Sequence, residues 1–387
     1  MHERDVDVAV LGLGGIGSGA AYWLAKRGAR VLGIEQFELG HVRGESHDHS
    51  RIIRLSYHTP QYVALAKEAY AAWSDVEAQT GEQIVIRTGG LDLGPRDGAI
   101  SLDAYAASMR AENVEFEQLD AAAIRERWPM FVISDDVIGV YQQDAGICAA
   151  ARGTAAHQRA AQSYGAAFKA NASIDALRET SDGIELVVDG SPYRAAKLVI
   201  AAGPWSARAL AAFGESIPLE VTKEQVTYFE PLGTGFELGQ FPVWIWMDDP
   251  SFYGFPIFGE TGVKVAQDAG GKPVDPDTRG FEPDRDIARR MQAFLRSHLP
   301  TAMGRELLTK TCLYTLTPDR DFVIDTLPNH PNVSVAVGAG HAFKFASVLG
   351  RILSELALDG ATPSNITGFE IDRPILRMAA PPKTYMV

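Results

Sequence analysis

The stretch from Val6 to Phe37, "VDVAVLGLGGIGSGAAYWLAKRGARVLGIEQF", restricts the fold more than any other part of the chain. Apolar residues from Val6 to Leu11 read as a buried strand, and Gly12, Gly14 and Gly17 follow in G-x-G-x-x-G spacing. From Ser18 to Arg27 the apolar positions recur at helical intervals, Gly28 fits a helix C-terminus, and "RVLGIEQF" reads as a second strand ending at Glu35. This is a βαβ unit with the dinucleotide fingerprint. Gly12 permits the tight turn, Gly14 lets backbone N–H groups approach a pyrophosphate, and Gly17 lets helix and strand pack closely. The helix N-terminus favours phosphate, and Glu35 is placed to accept hydrogen bonds from a ribose diol. The motif alone does not choose between NAD and FAD.

Beyond Phe37 the chain does not continue as regular βα units. "GHVRGESHDHSRIIRLSY" is a polar loop dense in Gly, His and Arg, placed to reach a bound ring system or its substrate. "TPQYVALAKEAYAAWSDVEAQ" predicts a helix with Thr59 as N-cap and Pro60 at its first position. "GGLDLGP", "IGVYQQDAG", "IELVVDG", "LVIAAGPW", "QVTYFEP", "PVWIWMD", "FYGFPIF" and "GVKVAQD" read as strands separated by turn residues. So many strands outside the fingerprint predict a second domain on a mostly antiparallel sheet. The first domain resumes at "AAKLVIAAGPWS", where Gly203 follows a buried run. It resumes again at "NVSVAVGAGHAFKFASVLGRILSELAL", a strand, a glycine turn from Gly338 to Gly340, and a helix. The two domains are therefore interleaved in sequence.

Composition narrows the partners. The formal charge of -13 opposes a nucleic-acid or anionic-membrane surface and favours a small-molecule ligand. No apolar run reaches the roughly 18 residues of a membrane helix, and the N-terminus has no signal-peptide pattern, so a soluble cytoplasmic protein is expected. Two cysteines, Cys148 and Cys312, are too few for a disulfide framework. Cys148, among alanines, reads as packing. The triplet His47, Asp48, His49 lacks the separated ligand pairs of a zinc site, and no metal is expected.

Taken in order, the opening βαβ unit, "SHDHSRIIR", "YGFPIFG" with "GVKVAQ", "KTCLYTLTPDRDFVID" and "GAGHAFKFAS" resemble the monomeric sarcosine oxidase and N-methyltryptophan oxidase family of FAD-dependent amine oxidases, from Val6 to about Pro374. The resemblance implies a mixed α/β and α+β fold. A Rossmann-like FAD-binding domain (residues 1–80, 145–215 and 310–387) is interleaved with a substrate domain on a mostly antiparallel sheet (81–144 and 216–309). It implies oxidation of a secondary amino acid with O2, giving an imine and hydrogen peroxide, by a monomer or small homo-oligomer.

The resemblance also implies roles for residues. Cys312 stands where the family attaches FAD through a thioether. Lys264 matches the lysine that faces the flavin and assists its reoxidation, a role suited to a fixed ammonium in a dry site. Arg54 and Lys344 match groups that bind the substrate carboxylate, a pairing that orients the reacting carbon. Tyr314 and Tyr253 match active-site tyrosines, and Arg51 and His47 match residues beside the flavin ring. From the strand, glycine-turn and helix patterns, Gly203, Gly338, Gly340 and His341, with Lys344, are assigned to the cofactor turns; Trp244 and Trp246 are candidates for the substrate pocket, although period-two tryptophans on one strand face are more often core. One departure concerns Asp268, four residues after Lys264, where sarcosine oxidases carry histidine. A carboxylate there implies a substrate with extra positive charge or a bulkier side chain. Rival readings are an oxidase or dehydrogenase of a cyclic imino acid or other amine, a non-catalytic flavin-binding protein, and a nicotinamide dehydrogenase.

Overall fold

The computed structural model describes residues 5–382, so residues 1–4 and 383–387 of the expected domain division lie outside the described residues. The fingerprint strand, Asp5–Leu11, is the centre of an eight-stranded sheet. It pairs in parallel with Val31–Ile34 on one side and with Ser191–Ile200 on the other. Beyond these lie Ala167–Lys169 at one edge and Val333–Val337, then Val323–Thr326, at the other. The central strands are buried on both faces, which explains their continuous apolar runs. The "IELVVDG" segment also belongs here. Gly183–Val188 pairs with the first half of Ser191–Ile200 and makes a hairpin with Ile174–Thr180, so it is not part of the second sheet.

Helices Gly15–Lys26, Ala150–Ser163 and Ala346–Asp359 pack together against this sheet. Small residues let the first and last of them approach closely: a Cβ at Gly19 would lie 2.6 Å from the carbonyl oxygen of Ala346. The helix expected from Thr59 runs Pro60–Thr80, with the Thr59 hydroxyl accepting from the Tyr62 N–H.

The second sheet has nine strands and only one parallel pair, Val243–Trp246 beside Gly90–Pro95. Its centre runs Glu220–Phe229, Val263–Gln267, Phe252–Phe255, Val243–Trp246. The long strand Glu306–Leu316, which carries Cys312, is antiparallel to Glu220–Phe229. Helix Arg285–His298 covers one face, burying Met291, Phe294 and Leu295. A small third sheet, Arg51–Ile53 with Gly146–Cys148 and Val85–Arg87, anchors the loop that follows the fingerprint unit. Cys148 is fully buried in it, consistent with packing. No helix among the described residues is long and apolar enough to cross a membrane.

Candidate active site

Two cavities meet where the sheets face each other. The larger, about 780 Å³, follows the C-terminal ends of the parallel strands and is lined by the Leu11–Ile16 turn, Glu35, His47, Gly203 and Gly338. Its floor has no room for side chains. Gly12 has φ +87°, and a Cβ there would collide with the carbonyl oxygen of Ala201. A Cβ on Gly17 would run into the carbonyl oxygen of Gly12, so strand and helix approach as the fingerprint requires. The first turn of Gly15–Lys26 holds no acidic residue, which leaves its positive end suited to phosphate. Glu35 is 5% exposed, and its carboxylate accepts from the N–H groups of Leu13 (2.9 Å) and Phe37 (3.1 Å). Two buried polar atoms on this groove, His47 Nε2 and Thr154 Oγ1, have no hydrogen-bond partner among the described residues. A long groove, a glycine cradle and orphaned polar atoms together fit a dinucleotide.

The second cavity, about 140 Å³, continues from the first through Gly15, Ile16, Glu45, Ser46 and Gly338. It is dominated by cations. Arg51 is held by the carbonyls of Ser50 (2.8 Å) and Glu45 (2.7 Å). Arg54 donates to buried Asp92 at 2.8 Å, and the Ser56 hydroxyl donates to the same carboxylate oxygen at 2.6 Å. Lys344 lies in a short 3-10 turn, Phe343–Phe345, fixed by the Trp73 indole donating to its carbonyl. Its ammonium stands 5.6 Å from the Tyr57 ring centroid. Burial, then repulsion by Arg54, pushes the Lys344 ammonium down to about 7, with Asp268 opposing. Tyr253 and Tyr314 form one wall, their hydroxyls 3.4 Å apart. Burial is the main cause that raises both phenols. Gly340 and His341 complete the rim, His341 donating from Nε2 to the Arg320 carbonyl at 2.8 Å.

Two further expected residues project from the same sheet face as Tyr253 and Tyr314. Lys264 and Cys312 line neither cavity, although Arg51, which does, acts electrostatically on both. Lys264 is 2% exposed and donates to Asp48 (2.7 Å), to the Ser50 carbonyl (2.8 Å) and to the Ser50 hydroxyl (3.2 Å). Burial pushes the Cys312 thiol up to about 11, with Arg51 opposing. Such a thiol is mostly protonated at neutral pH. His47, mostly buried beside Arg51, is pushed down to about 3 and is therefore neutral.

One expectation is corrected by the geometry. Trp244 is no part of the cavity: it is 2% exposed on the opposite sheet face, stacked on Phe294 at 5.7 Å. Period-two alternation puts Ile245 and Met247 into the pocket instead. Asp268 does line the cavity, but its carboxylate already meets Arg320 at 3.3 Å. That pairing offsets part of the Asp268 charge within the protein. Arg320 itself was missed in the sequence; its side chain is 3% exposed and its backbone is left-handed at φ +62°. Its signal was a position in "TPDRDF", within a motif read only for Cys312 and Tyr314. Asp92 and Asp48, the buried partners of Arg54 and Lys264, were missed as well.

The chain is 35% identical over 373 residues to a monomeric sarcosine oxidase of Streptomyces avermitilis, covering 94% of this chain and 96% of that one. It is 31% identical over 373 residues to an N-methyl-L-tryptophan oxidase of Citrobacter koseri, covering 95% and 98%. The solved structure of NikD, described as an unusual amino acid oxidase essential for nikkomycin biosynthesis, superposes with a TM-score of 0.85 at 30% identity, covering 95% and 97%. A family model described as FAD dependent oxidoreductase matches residues 7–356, and with the glycine cradle, the groove and the cationic cavity in place, the chain belongs to that FAD-dependent oxidoreductase family.

Proposed function

We propose that the protein is an oxidase of a secondary, N-alkylated α-amino acid that uses FAD and O2 and yields an imine and hydrogen peroxide. The observation that carries this reading is the cationic cavity opening directly into the dinucleotide groove. FAD would lie with its pyrophosphate at the Gly12–Gly17 turn, its ribose at Glu35 and its ring beside Gly338, and it supplies a two-electron acceptor at the junction of the cavities. Arg54 and Lys344 bind the substrate carboxylate. A fork and an ammonium converging on one anion fix where the amine-bearing carbon sits, which is how orientation contributes to rate. Tyr253, Tyr314, Ile245 and Met247 exclude water around that carbon. The substrate enters with its amine neutral, so no side chain is required as an obligatory base. Lys264 supplies positive charge for the oxygen step, and Cys312 carries the flavin. The test is a panel of N-methyl and cyclic amino acids assayed for peroxide; turnover of none of them, or turnover without peroxide, overturns the proposal.

Attachment has its own expected outcome. Acid precipitation should leave the yellow colour in the protein pellet, and Cys312→Ser should move it to the supernatant. Colour retained by Cys312→Ser would place the link elsewhere.

Carboxylate binding should depend on pH in a defined sense. Lys344 is charged below about 7 and neutral above it, so affinity for an anion is greatest at low pH and is lost as pH rises. Glu45 on the same cavity, pushed up to about 7 mainly by burial, becomes negative over the same range and acts in the same direction. The dissociation constant of a simple carboxylate such as propionate, read from the flavin absorption, should rise between about pH 6 and 9. Lys344→Met should flatten most of that rise, and an unchanged slope would remove Lys344 from the carboxylate site.

A further inference from the structure

The loop from Ser46 to Arg51 carries one group that neither the cofactor nor the substrate uses. Asp48 has a side chain 2% exposed, yet its carboxylate accepts from three donors: Lys264 (2.7 Å), Lys310 (2.8 Å) and the Tyr228 hydroxyl (2.8 Å). Its backbone is left-handed at φ +76°, a strained conformation for a residue with a side chain that persists only where its surroundings fix it. Lys264 has three N–H bonds to give, and Asp48 and the two Ser50 oxygens supply three acceptors. The ammonium is therefore fully held and has one orientation. On the far side, Lys310 reaches Glu260 at 3.1 Å, and Glu260 reaches His49 at 2.9 Å, so the ionic chain runs from the buried lysine to the surface.

We propose that Asp48 is a positioning residue for Lys264: its carboxylate, fixed by Tyr228 and Lys310, holds the lysine as an ammonium directed onto the Ser46–Arg51 loop. The kinetic consequence rests on the oxygen role proposed for Lys264; the hold itself does not. A buried lysine without a counter-charge gives up its proton. Here burial pushes Lys264 down to about 8, Asp48 is the largest force resisting, and Arg51 is the cation working against it. Lys310 draws on the Asp48 charge from the other side. Removing Asp48 and removing Lys310 thus have opposite predicted effects on Lys264, which a purely structural role would not give.

The experiment is a pH titration of holoenzyme labelled at lysine Cε with carbon-13, which contains ten lysines, with Lys264 assigned by Lys264→Arg. Asp48→Asn should lower the Lys264 midpoint by roughly 1–3 pH units, and Lys310→Met should raise it. The rate of flavin reoxidation by O2, followed by stopped flow, should shift its pH midpoint in the same two directions. A Lys264 midpoint unmoved in Asp48→Asn, or moved the same way in both variants, overturns the proposal. A moved midpoint with an unmoved reoxidation profile keeps the hold of Asp48 and removes Lys264 from the oxygen step. Should Asp48→Asn fail to fold, the upward shift in Lys310→Met decides: its absence overturns the proposal.

Discussion

Gly17→Ala is expected to give a protein that purifies without flavin and melts well below the parent. The reason is space, not backbone freedom. A Cβ at this position would enter the carbonyl oxygen of Gly12, a backbone atom that cannot swing aside. Relief requires the start of helix Gly15–Lys26 to move away from strand Asp5–Leu11, which closes the turn that cradles the pyrophosphate. Damage of this kind belongs to the severe class, more than about 4 kcal/mol. Gly28→Ala makes the informative comparison. Gly28 has φ +86° but nothing within 4 Å of an added Cβ, so alanine there costs only about 1–2 kcal/mol of conformational strain and leaves the flavin bound. Absorbance at the flavin band per mole of protein and a melting curve on both variants check this. Flavin retained by Gly17→Ala would mean that the turn can open without losing its ligand.

The contrast between those two glycines marks what the sequence could convey. The βαβ unit was legible because its signals are local: alternation, three spaced glycines, helical periodicity and a terminal acid all lie between Val6 and Glu35. The Pro60–Thr80 helix was legible for the same reason, its cap and first proline being adjacent. Trp244 failed because alternation divides a strand into two faces without saying which is core. Both faces of "VWIWM" are apolar, and the choice is made by Phe294, on a helix far along the chain. The Gly183–Val188 strand was credited to the wrong sheet because strand propensity carries no partner. The same limit hid the charge pairs. Arg54, Lys264 and Asp268 could each be singled out, but Asp92, Asp48 and Arg320 meet them only after the loops and sheets are assembled. A buried cation's function depends on which anion already holds it, so the most consequential part of this site was also the least visible in one dimension.

Arg54→Met should lower kcat/KM for an N-methyl amino acid about 100- to 1,000-fold, roughly 3–4 kcal/mol of transition-state binding. Two effects contribute, and they separate. The first, on the proposed carboxylate role of Arg54, is loss of one arm of the anion site, which leaves Lys344 alone and the reacting carbon free to wander. The second is structural: Asp92 is 4% exposed and loses its ion-pair partner at 2.8 Å, keeping the Ser56 hydroxyl. A buried carboxylate stripped of its cation costs several kcal/mol or takes up a proton. Asp92→Asn in the Arg54→Met background removes that charge and should restore thermal stability without restoring activity. Arg54→Lys should not rescue either property, because one ammonium cannot reach Asp92 and present a second pair of donors to substrate together. Asp92→Asn alone is the decisive arm. With the guanidinium retained but no longer held from behind, the carboxylate site should survive in a looser form, so KM rises more than kcat falls. Should the double variant instead recover kcat/KM, the defect in Arg54→Met would be the stranded Asp92 charge, and the substrate carboxylate would have to be held by Lys344 with Arg51 or Arg320.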